Sequence, residues 1–237
     1  MPVPARLPGQ ATKSAAVITM QSTILKLMET ARVLDPQTMK PVTSIKSWQT
    51  IDQQNGDVVS KYKYLEGYPK NYRFDAKEGT FSINGREKIG RSLTFQPIAW
   101  RIFTDSILGQ PSKQWAELFF IDEQKCVATV LFHGYSVDNI FRLIEPLYYD
   151  DITLADVVLT ATAERKEYTK SQPKGVYYIA QFRYELADTD LTKQRQEFAQ
   201  ENPIFRQDTL TDPAQFKTSH LYGFLTINQQ KAFAPVA

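Results

Sequence analysis

The chain has 237 residues, of which 42% are hydrophobic and 23% are charged, and its 28 basic and 26 acidic side chains give a net charge of +2. This composition excludes a wholly disordered chain, a collagen and a disulfide scaffold, and the absence of a run of about 18 apolar residues predicts that no transmembrane helix is present. The near-neutral charge means that any nucleic-acid site is a local patch. Cys126 is the only cysteine, which excludes an internal disulfide and predicts a reducing, cytoplasmic location. The N-terminus has no long apolar segment, so no signal peptide is expected.

The N-terminal part, residues 1–46, is predicted to be an extended arm with one short helix. Ile24, Leu27, Met28 and Ala31 recur there at helical spacing. Basic residues exceed acidic ones in this arm by 6 − 2 = +4, which is typical of a solvated segment.

Turn signals fill the next segment of the chain. FSINGREKI predicts a hairpin around Asn84-Gly85. KYKYLEGYPKNYRF, residues 61–74, interleaves tyrosines with basic residues. This block predicts either a strand pair with outward lysines or a second surface that follows a nucleic-acid strand.

Three strand-like segments follow. LTFQPIAWRIF is interrupted by Pro97, which favours an edge or a bulge. WAELFFID alternates so that Ala116, Leu118 and Phe120 form the better inward set, which turns Trp115 outward. CVATVLFHG pairs back antiparallel because the connecting turn is short.

The pattern then changes to a helical period in SVDNIFRLIEPLYYDD, with Ser136 as the predicted N-cap. Two more strands are predicted from DVVLTATAERKEY and VYYIAQFRYELA, with a polar loop between them. A last helix is predicted over LTKQRQEFAQEN, capped by Asp190 and ended at Asn202-Pro203.

This order of three strands, a helix and two strands resembles that of OB-fold single-stranded nucleic-acid-binding proteins, whose five-stranded Greek-key barrel carries a helix between strands three and four. The resemblance covers about Leu93–Ala187 and depends on element order, not on a signature motif; an SH3-like or other small barrel shares much of the pattern. It implies a mainly β protein with an arm at 1–46, an OB-like barrel domain with N-terminal hairpin additions at 47–187, and a C-terminal extension at 188–237.

The resemblance also implies where nucleic acid binds: across strands two and three, between the loop that joins strands one and two and the loop that joins strands four and five. The latter loop holds the densest basic cluster of the chain, with a tyrosine in its middle. Cations for phosphates and flat aromatics for bases are what single-strand binding requires. The predicted nucleic-acid-binding residues are Arg101, Phe103, Lys113, Trp115, Phe119, Arg165, Lys166, Tyr168, Lys170, Lys174, Tyr177 and Arg183. The alternative interpretation is a solvated lysine-rich loop and strand aromatics that belong to the core.

The function predicted from these features is non-catalytic, largely sequence-independent binding of single-stranded DNA in replication, recombination or repair. RNA stays open as a ligand, and homo-oligomers or replication and recombination proteins are the expected protein partners. The second hypothesis is a docking or assembly module of a virus or mobile element, because small barrels also serve as docking platforms.

A metal-dependent nuclease is the third hypothesis. The E-x-K triplets at Glu123–Lys125 and Glu164–Lys166 follow upstream aspartates, as in nucleases that hold a metal with carboxylates and place a lysine near the attacking water. Such triplets are expected by chance in a chain with this charge. No phosphate-loop or nucleophile-elbow motif is present, and two histidines and one cysteine are too few for a typical zinc site. The sequence therefore predicts neither an enzyme nor a bound metal or cofactor.

Overall fold

The computed structural model describes residues 44–168, 175–206, 210–211 and 213–216, together with the backbone of two short strands nearer the N-terminus. The chain divides into two compact units, Met1–Val59 and Ser60–Ala237. The helix predicted in the N-terminal arm lies outside the described residues. The short strand pairs of this region are β1 (Val33–Leu34) with β2 (Pro41–Val42), and β3 (Gln49–Ile51) with β4 (Val58–Ser60).

The second unit contains a seven-stranded sheet and a three-stranded sheet. The strands of the larger sheet are β5 (Lys70–Asp75), β6 (Thr80–Ile83), β7 (Glu87–Gly90), β9 (Pro97–Asp105), β10 (Lys113–Ile121), β11 (Val127–His133) and β14 (Gln215–Phe216). Those of the smaller sheet are β8 (Ser92–Phe95), β12 (Val157–Glu167) and β13 (Val176–Leu186). Two α-helices are described in this unit, α1 (Tyr135–Tyr149) and α2 (Thr189–Glu201), with a 3-10 turn at Leu154–Asp156.

Local sequence explains the hairpins of the larger sheet, whose strand order is β14-β9-β10-β11-β5-β6-β7. Three residues, Asn84, Gly85 and Arg86, join β6 to β7, and the first two have φ values of 52° and 70°, a left-handed backbone that asparagine and glycine adopt most readily. The predicted hairpin is therefore confirmed. The short turn after Asp122 likewise makes β10 and β11 antiparallel, whereas β5 pairs with β11 in parallel.

The prediction of a mainly β chain is confirmed, and α1 lies between β11 and β12, but the sheets do not close into a barrel. The segment predicted as one strand is divided at Gln96, so that β8 joins the smaller sheet and β9 the larger. The buried Gln96 amide holds this division, since its Nε2 donates to Ala155 O at 2.7 Å and to Thr192 Oγ1 at 2.8 Å. Arg195 Nη1 donates to Gln96 Oε1 at 2.6 Å. The Greek-key barrel details are not confirmed.

The main core lies between the inner faces of the two sheets and α1. Leu118 and Phe120 of β10 are buried there with Leu159 and Ala161 of β12. Helix α1 adds its apolar stripe, Val137, Ile140, Ile144 and Leu147. Burial of this continuous apolar surface is the main force that stabilises the unit.

Helix α1 begins differently from the prediction. Ser136 does not cap it: the cap position is Gly134, which has no side-chain hydrogen bond. Instead Ser136 Oγ accepts from Ala180 N at 2.9 Å, and Asn139 Nδ2 donates to Ala180 O at 2.8 Å. These buried side chains satisfy the backbone at the edge of β13, where unpaired groups would otherwise be costly.

Helix α2 confirms the predicted C-terminal helix with a shifted cap. Asp188, not Asp190, is the N-cap, and its carboxylate accepts from Leu191 N at 2.8 Å. The helix ends before Asn202-Pro203, as proline requires. Of the described residues that follow, Phe205 packs on Phe119 and Phe216 on Phe103, on the face of the larger sheet opposite the main core.

Candidate nucleic-acid interface

Three of the aromatic side chains predicted for the nucleic-acid face are buried against residues from the C-terminal part of the chain. Phe103, Trp115 and Phe119 are each at most 1% exposed. Phe205 packs edge-on against Phe119 at a centroid distance of 5.3 Å, and Phe216 lies 6.0 Å from Phe103. These rings lie on the face of the larger sheet opposite the main core, as the alternating pattern predicts. The expectation that they are exposed is wrong.

Trp115 is also fixed by a hydrogen bond. Its Nε1 donates to Asp105 O at 2.9 Å, and its ring packs in a second cluster with Ile107 and Leu210. The Asp105 carboxylate in turn binds Thr211, from both the backbone amide and the hydroxyl. No base can reach the indole while this segment is in place.

Arg101 is buried with its charge compensated. The residue is 3% exposed, its Nε donates to Glu117 Oε2 at 2.7 Å, and its Nη2 donates to Arg206 O at 2.8 Å. Phe119 and Phe205 place their rings 6.0 and 5.4 Å from the guanidinium carbon. A cation held in this way is not available to a phosphate, so the expectation of an exposed Arg101 is also wrong.

Lys113 lies at the rim of this buried cluster. Its Nζ is 4.9 Å from the centre of the Trp115 ring and 3.3 Å from Gln110 Oε1. Burial lowers the pKa of Lys113, and burial together with the Lys113 charge lowers the pKa of His133.

Tyrosines of the 61–74 block make contacts within the protein. Tyr64 OH donates to Pro203 O at 2.6 Å and so fixes the start of the C-terminal segment. Tyr72 OH donates to Asp122 Oδ2 at 3.2 Å, and Lys70 Nζ donates to the same oxygen at 2.7 Å. Burial, and then the Asp122 charge, raise the pKa of Tyr72 to about 12. Tyr64 and Tyr72 therefore make internal contacts, whereas Tyr68 of the same block is 69% exposed.

The β12–β13 hairpin carries the remaining predicted residues. Strand β8 pairs only with Leu159–Thr162 of β12, so the rest of the hairpin continues as a two-stranded ribbon. We call residues 163–168 and 175–180 the hairpin end. Successive side chains on a strand alternate in direction, and directly paired residues share a face. Lys166 pairs with Tyr177, and Arg165 pairs with Tyr178 on the other face.

Tyr168 and Tyr177 form an aromatic pair at the hairpin end. Their ring centroids are 4.6 Å apart and their planes are tilted by 35°. Tyr168 is 51% exposed, and its amide donates to Gly175 O at 2.9 Å. Gly175 permits this arrangement, since a Cβ there would lie 2.9 Å from the Tyr168 ring. The pair, with Tyr168 exposed and Tyr177 half-buried, places aromatic rings beside Lys166.

Of the described hairpin cations Arg165 is exposed and Lys166 is half-buried, and each is paired with a carboxylate of the same strand. Lys166 Nζ donates to Glu164 Oε1 at 2.8 Å, and Arg165 Nη1 donates to Glu167 Oε1 at 2.6 Å. The hydrogen bonds from Lys166 and Gln181 lower the pKa of Glu164. Exposed pairs of this kind contribute about 0–1 kcal/mol, so a phosphate can displace the carboxylates. Lys170 and Lys174 lie outside the described residues.

Arg183 is exposed in β13, where it pairs with Thr160. Arg183 lies on the same face as Tyr177, because an even number of residues separates them on β13. Lys166 of β12 shares this face because it pairs directly with Tyr177. The structure thus brings Lys166, Tyr168, Tyr177 and Arg183 onto one face.

Sequence reasoning missed one further contact of the hairpin. Tyr178, on the face opposite Tyr177, lies 5.3 Å below the guanidinium of Arg91 and packs against Gly79. Tyr178 N also donates to Ala76 O at 2.7 Å. In the sequence this contact is signalled by Gly79, whose φ of +66° and missing side chain leave room for the Tyr178 ring.

The glutamates of the two E-x-K triplets lie in different surroundings. Glu123 is exposed in a turn, and Glu164 is occupied by Lys166 and Gln181. No group of three or more His, Cys, Asp or Glu side chains suited to a metal ion occurs in these ranges. Within the same part of the chain, none of the helices combines the length and the apolar character needed to cross a membrane.

Comparison of the chain with protein-family models, curated proteins and solved structures gives no match.

Proposed function

We propose that the protein binds single-stranded DNA, without catalysis and largely without sequence preference, through the end of the β12–β13 hairpin. The observation that carries this proposal is the Tyr168–Tyr177 ring pair, which lies beside Lys166 on one face of the hairpin end, with Tyr168 51% exposed. Base stacking on an aromatic ring contributes roughly 1–3 kcal/mol per base and tolerates every base. The proposed role lies in DNA replication, recombination or repair.

Charge supports the same end of the hairpin. The segment from Arg165 to Lys174 has four basic residues against one acidic residue, 4 − 1 = +3. Basic side chains attract the phosphates of a single strand, and exposed aromatic rings stack with its bases. The proposal does not need an OB-like barrel, because a two-stranded ribbon can present the same chemistry. The buried Phe103, Trp115 and Phe119 are not part of it.

Fluorescence anisotropy with labelled single- and double-stranded oligonucleotides at two salt concentrations tests this function. We expect tighter binding to the single strand, weakened by salt because counterions are released when cations neutralise phosphates. Equal binding to both forms, or no binding to either, would contradict the proposal. RNA of the same sequence, titrated in parallel, determines which nucleic acid is preferred.

A protein-docking function is the second candidate, favoured by a different surface. Tyr148 and Tyr149 end α1 with their ring centroids 5.4 Å apart, and Tyr149 is 76% exposed. Exposed tyrosines of this kind are typical anchors of protein interfaces. Two results together would favour docking over DNA binding. The protein would bind no oligonucleotide, and the double variant Tyr148→Ala, Tyr149→Ala would lose a self-association that the wild type shows in sedimentation.

A further inference from the structure

The solvent side of the three-stranded sheet carries two transverse rows of hydrogen-bonding side chains. Register places Ser92, Thr162 and Gln181 opposite one another across β8, β12 and β13. It places Thr94, Thr160 and Arg183 in the next row. We call these two sets the polar rows. Their neighbours Leu159 and Ala161 point into the core, so alternation turns the polar rows away from it.

The polar rows consist of uncharged hydrogen-bonding side chains and one cation, Arg183. Ser92, Thr94 and Thr162 are exposed, as is Arg183. The Thr94 and Thr160 hydroxyls lie 3.1 Å apart, so each can still offer a donor or an acceptor to a ligand. Phosphate oxygens accept from hydroxyl, amide and guanidinium groups alike, and such contacts position a nucleic acid without reading its sequence.

The polar rows share a face with the tyrosine pair. Tyr177, Gln181 and Arg183 all lie on one side of β13 because they are separated by even numbers of residues. Arg183 and Tyr177 are separated by ~20 Å along the strand at the usual rise per residue. Ile179, paired with Glu164, is buried between them. The Glu164 carboxylate lies between the two regions and accepts from Lys166 Nζ and Gln181 Nε2, and Glu185 lies beyond the second row.

We propose that the polar rows hold the sugar-phosphate backbone of the same single strand whose bases stack on Tyr168 and Tyr177. This inference rests on the proposed function and adds a second contact region with different chemistry. The strand would run along the outer side of β12 and β13, from Arg183 to the hairpin end. Base stacking would occur at one end of this path and phosphate contacts at the other, which accounts for binding without sequence preference.

An abasic oligonucleotide separates the two regions, because it keeps the phosphates and lacks the bases. The first variant joins Thr160→Val to Thr162→Val, which removes two hydroxyls and keeps the shape suited to a strand. The second is Arg183→Gln. The third joins Tyr168→Ala to Tyr177→Ala, and Lys125→Gln, an exposed cation in the turn after β10, is the control. Thermal unfolding of each variant verifies the fold.

We expect the threonine variant to weaken binding roughly three- to tenfold to both oligo-dT and the abasic strand. Its salt dependence should be unchanged, since a hydroxyl releases no counterion. Arg183→Gln should reduce the salt slope by about 0.7, the value for one phosphate contact on a single strand. The tyrosine variant should weaken binding to oligo-dT only, and Lys125→Gln should leave both affinities and slopes unchanged.

The contrary outcomes separate the two proposals. Wild-type protein that binds no strand at all overturns the proposed function and this inference with it. Wild-type binding that the threonine and Arg183 variants leave intact overturns only the inference. Loss of a dimer in the threonine variant, seen by sedimentation, would assign the polar rows to contact between two copies of the chain and would also overturn it.

Discussion

Replacement of Trp115 by alanine distinguishes a core residue from a nucleic-acid contact. The indole is 1% exposed and donates its Nε1 proton to Asp105 O at 2.9 Å. Truncation leaves a cavity beside Phe103 and Leu210 and an acceptor without its donor. A change of this type costs about 3–5 kcal/mol in the free energy of unfolding. For a chain of this size, about 2–4 °C of melting temperature is lost per kcal/mol, so the melting temperature should fall by ~6–20 °C.

Urea unfolding followed by circular dichroism measures this loss, and anisotropy with oligo-dT measures the affinity of the folded fraction. Trp115→Phe is the matched control: it keeps part of the ring volume and loses the hydrogen bond, so it should cost less than the alanine variant. We expect both variants to bind oligo-dT like the wild type once folded. An unchanged melting temperature with an affinity reduced by roughly 1–3 kcal/mol, the worth of one stacked base, would refute the burial of Trp115.

Three further changes have outcomes fixed by the structure. Arg101→Met leaves Glu117 buried without its partner and should cost about 3–5 kcal/mol in the free energy of unfolding. The double variant with Glu117→Leu should recover most of this loss. Urea titration measures both variants, and a cost under about 1 kcal/mol for the single variant would contradict the buried pair. Burial opposes ionisation of Asp122, but hydrogen bonds from Lys70 and the Cys126 amide outweigh it and lower the Asp122 pKa. The Asp122 contribution should therefore be complete above the unfolded-state value of about 3.9 and be lost as the pH falls through the lower folded-state pKa, so that unfolding titrations of Asp122→Asn and wild type converge in acid; a constant difference would contradict this. Removal of the basic side chains of the hairpin should reduce the magnitude of the single-strand salt slope by up to about 2.8, and an unchanged slope in anisotropy titrations would exclude them from the site. The side chains changed to alanine are Arg165, Lys166, Lys170 and Lys174.

Local sequence predicted the elements of the second unit better than their assembly. The hairpin at Asn84-Gly85 and the helix after His133 follow from turn chemistry and periodicity, which act over a few residues. The division of the chain between two sheets at Gln96 depends on Ala155 and Thr192, which are distant in sequence. No local pattern encodes such contacts, and the barrel expected from element order did not follow.

The burial of the predicted aromatic face had a signal in the sequence. β10 and the strand before it are apolar on both sides, as in WAELFFI and IAWRIF. Strands covered on both faces give near-continuous apolar runs, whereas a strand with one solvated face alternates. Alternation alone placed Trp115 opposite Leu118 but did not reveal that Leu210, distant in sequence, packs in one cluster with it. At the hairpin end Tyr168 is 51% exposed, whereas Tyr177 is half-buried and Tyr178 packs against Gly79.

The most direct measurement is the affinity of the Tyr168→Ala, Tyr177→Ala double variant for labelled oligo-dT at low salt, compared with wild type and with Tyr149→Ala. Tyr149 is an exposed tyrosine on α1, so its replacement removes an equivalent ring from another surface. Stacking at the hairpin end predicts at least about a tenfold loss for the double variant and wild-type affinity for Tyr149→Ala, with all three proteins equally stable. A double variant that binds oligo-dT as tightly as the wild type would contradict the assignment of the hairpin end as the single-strand site.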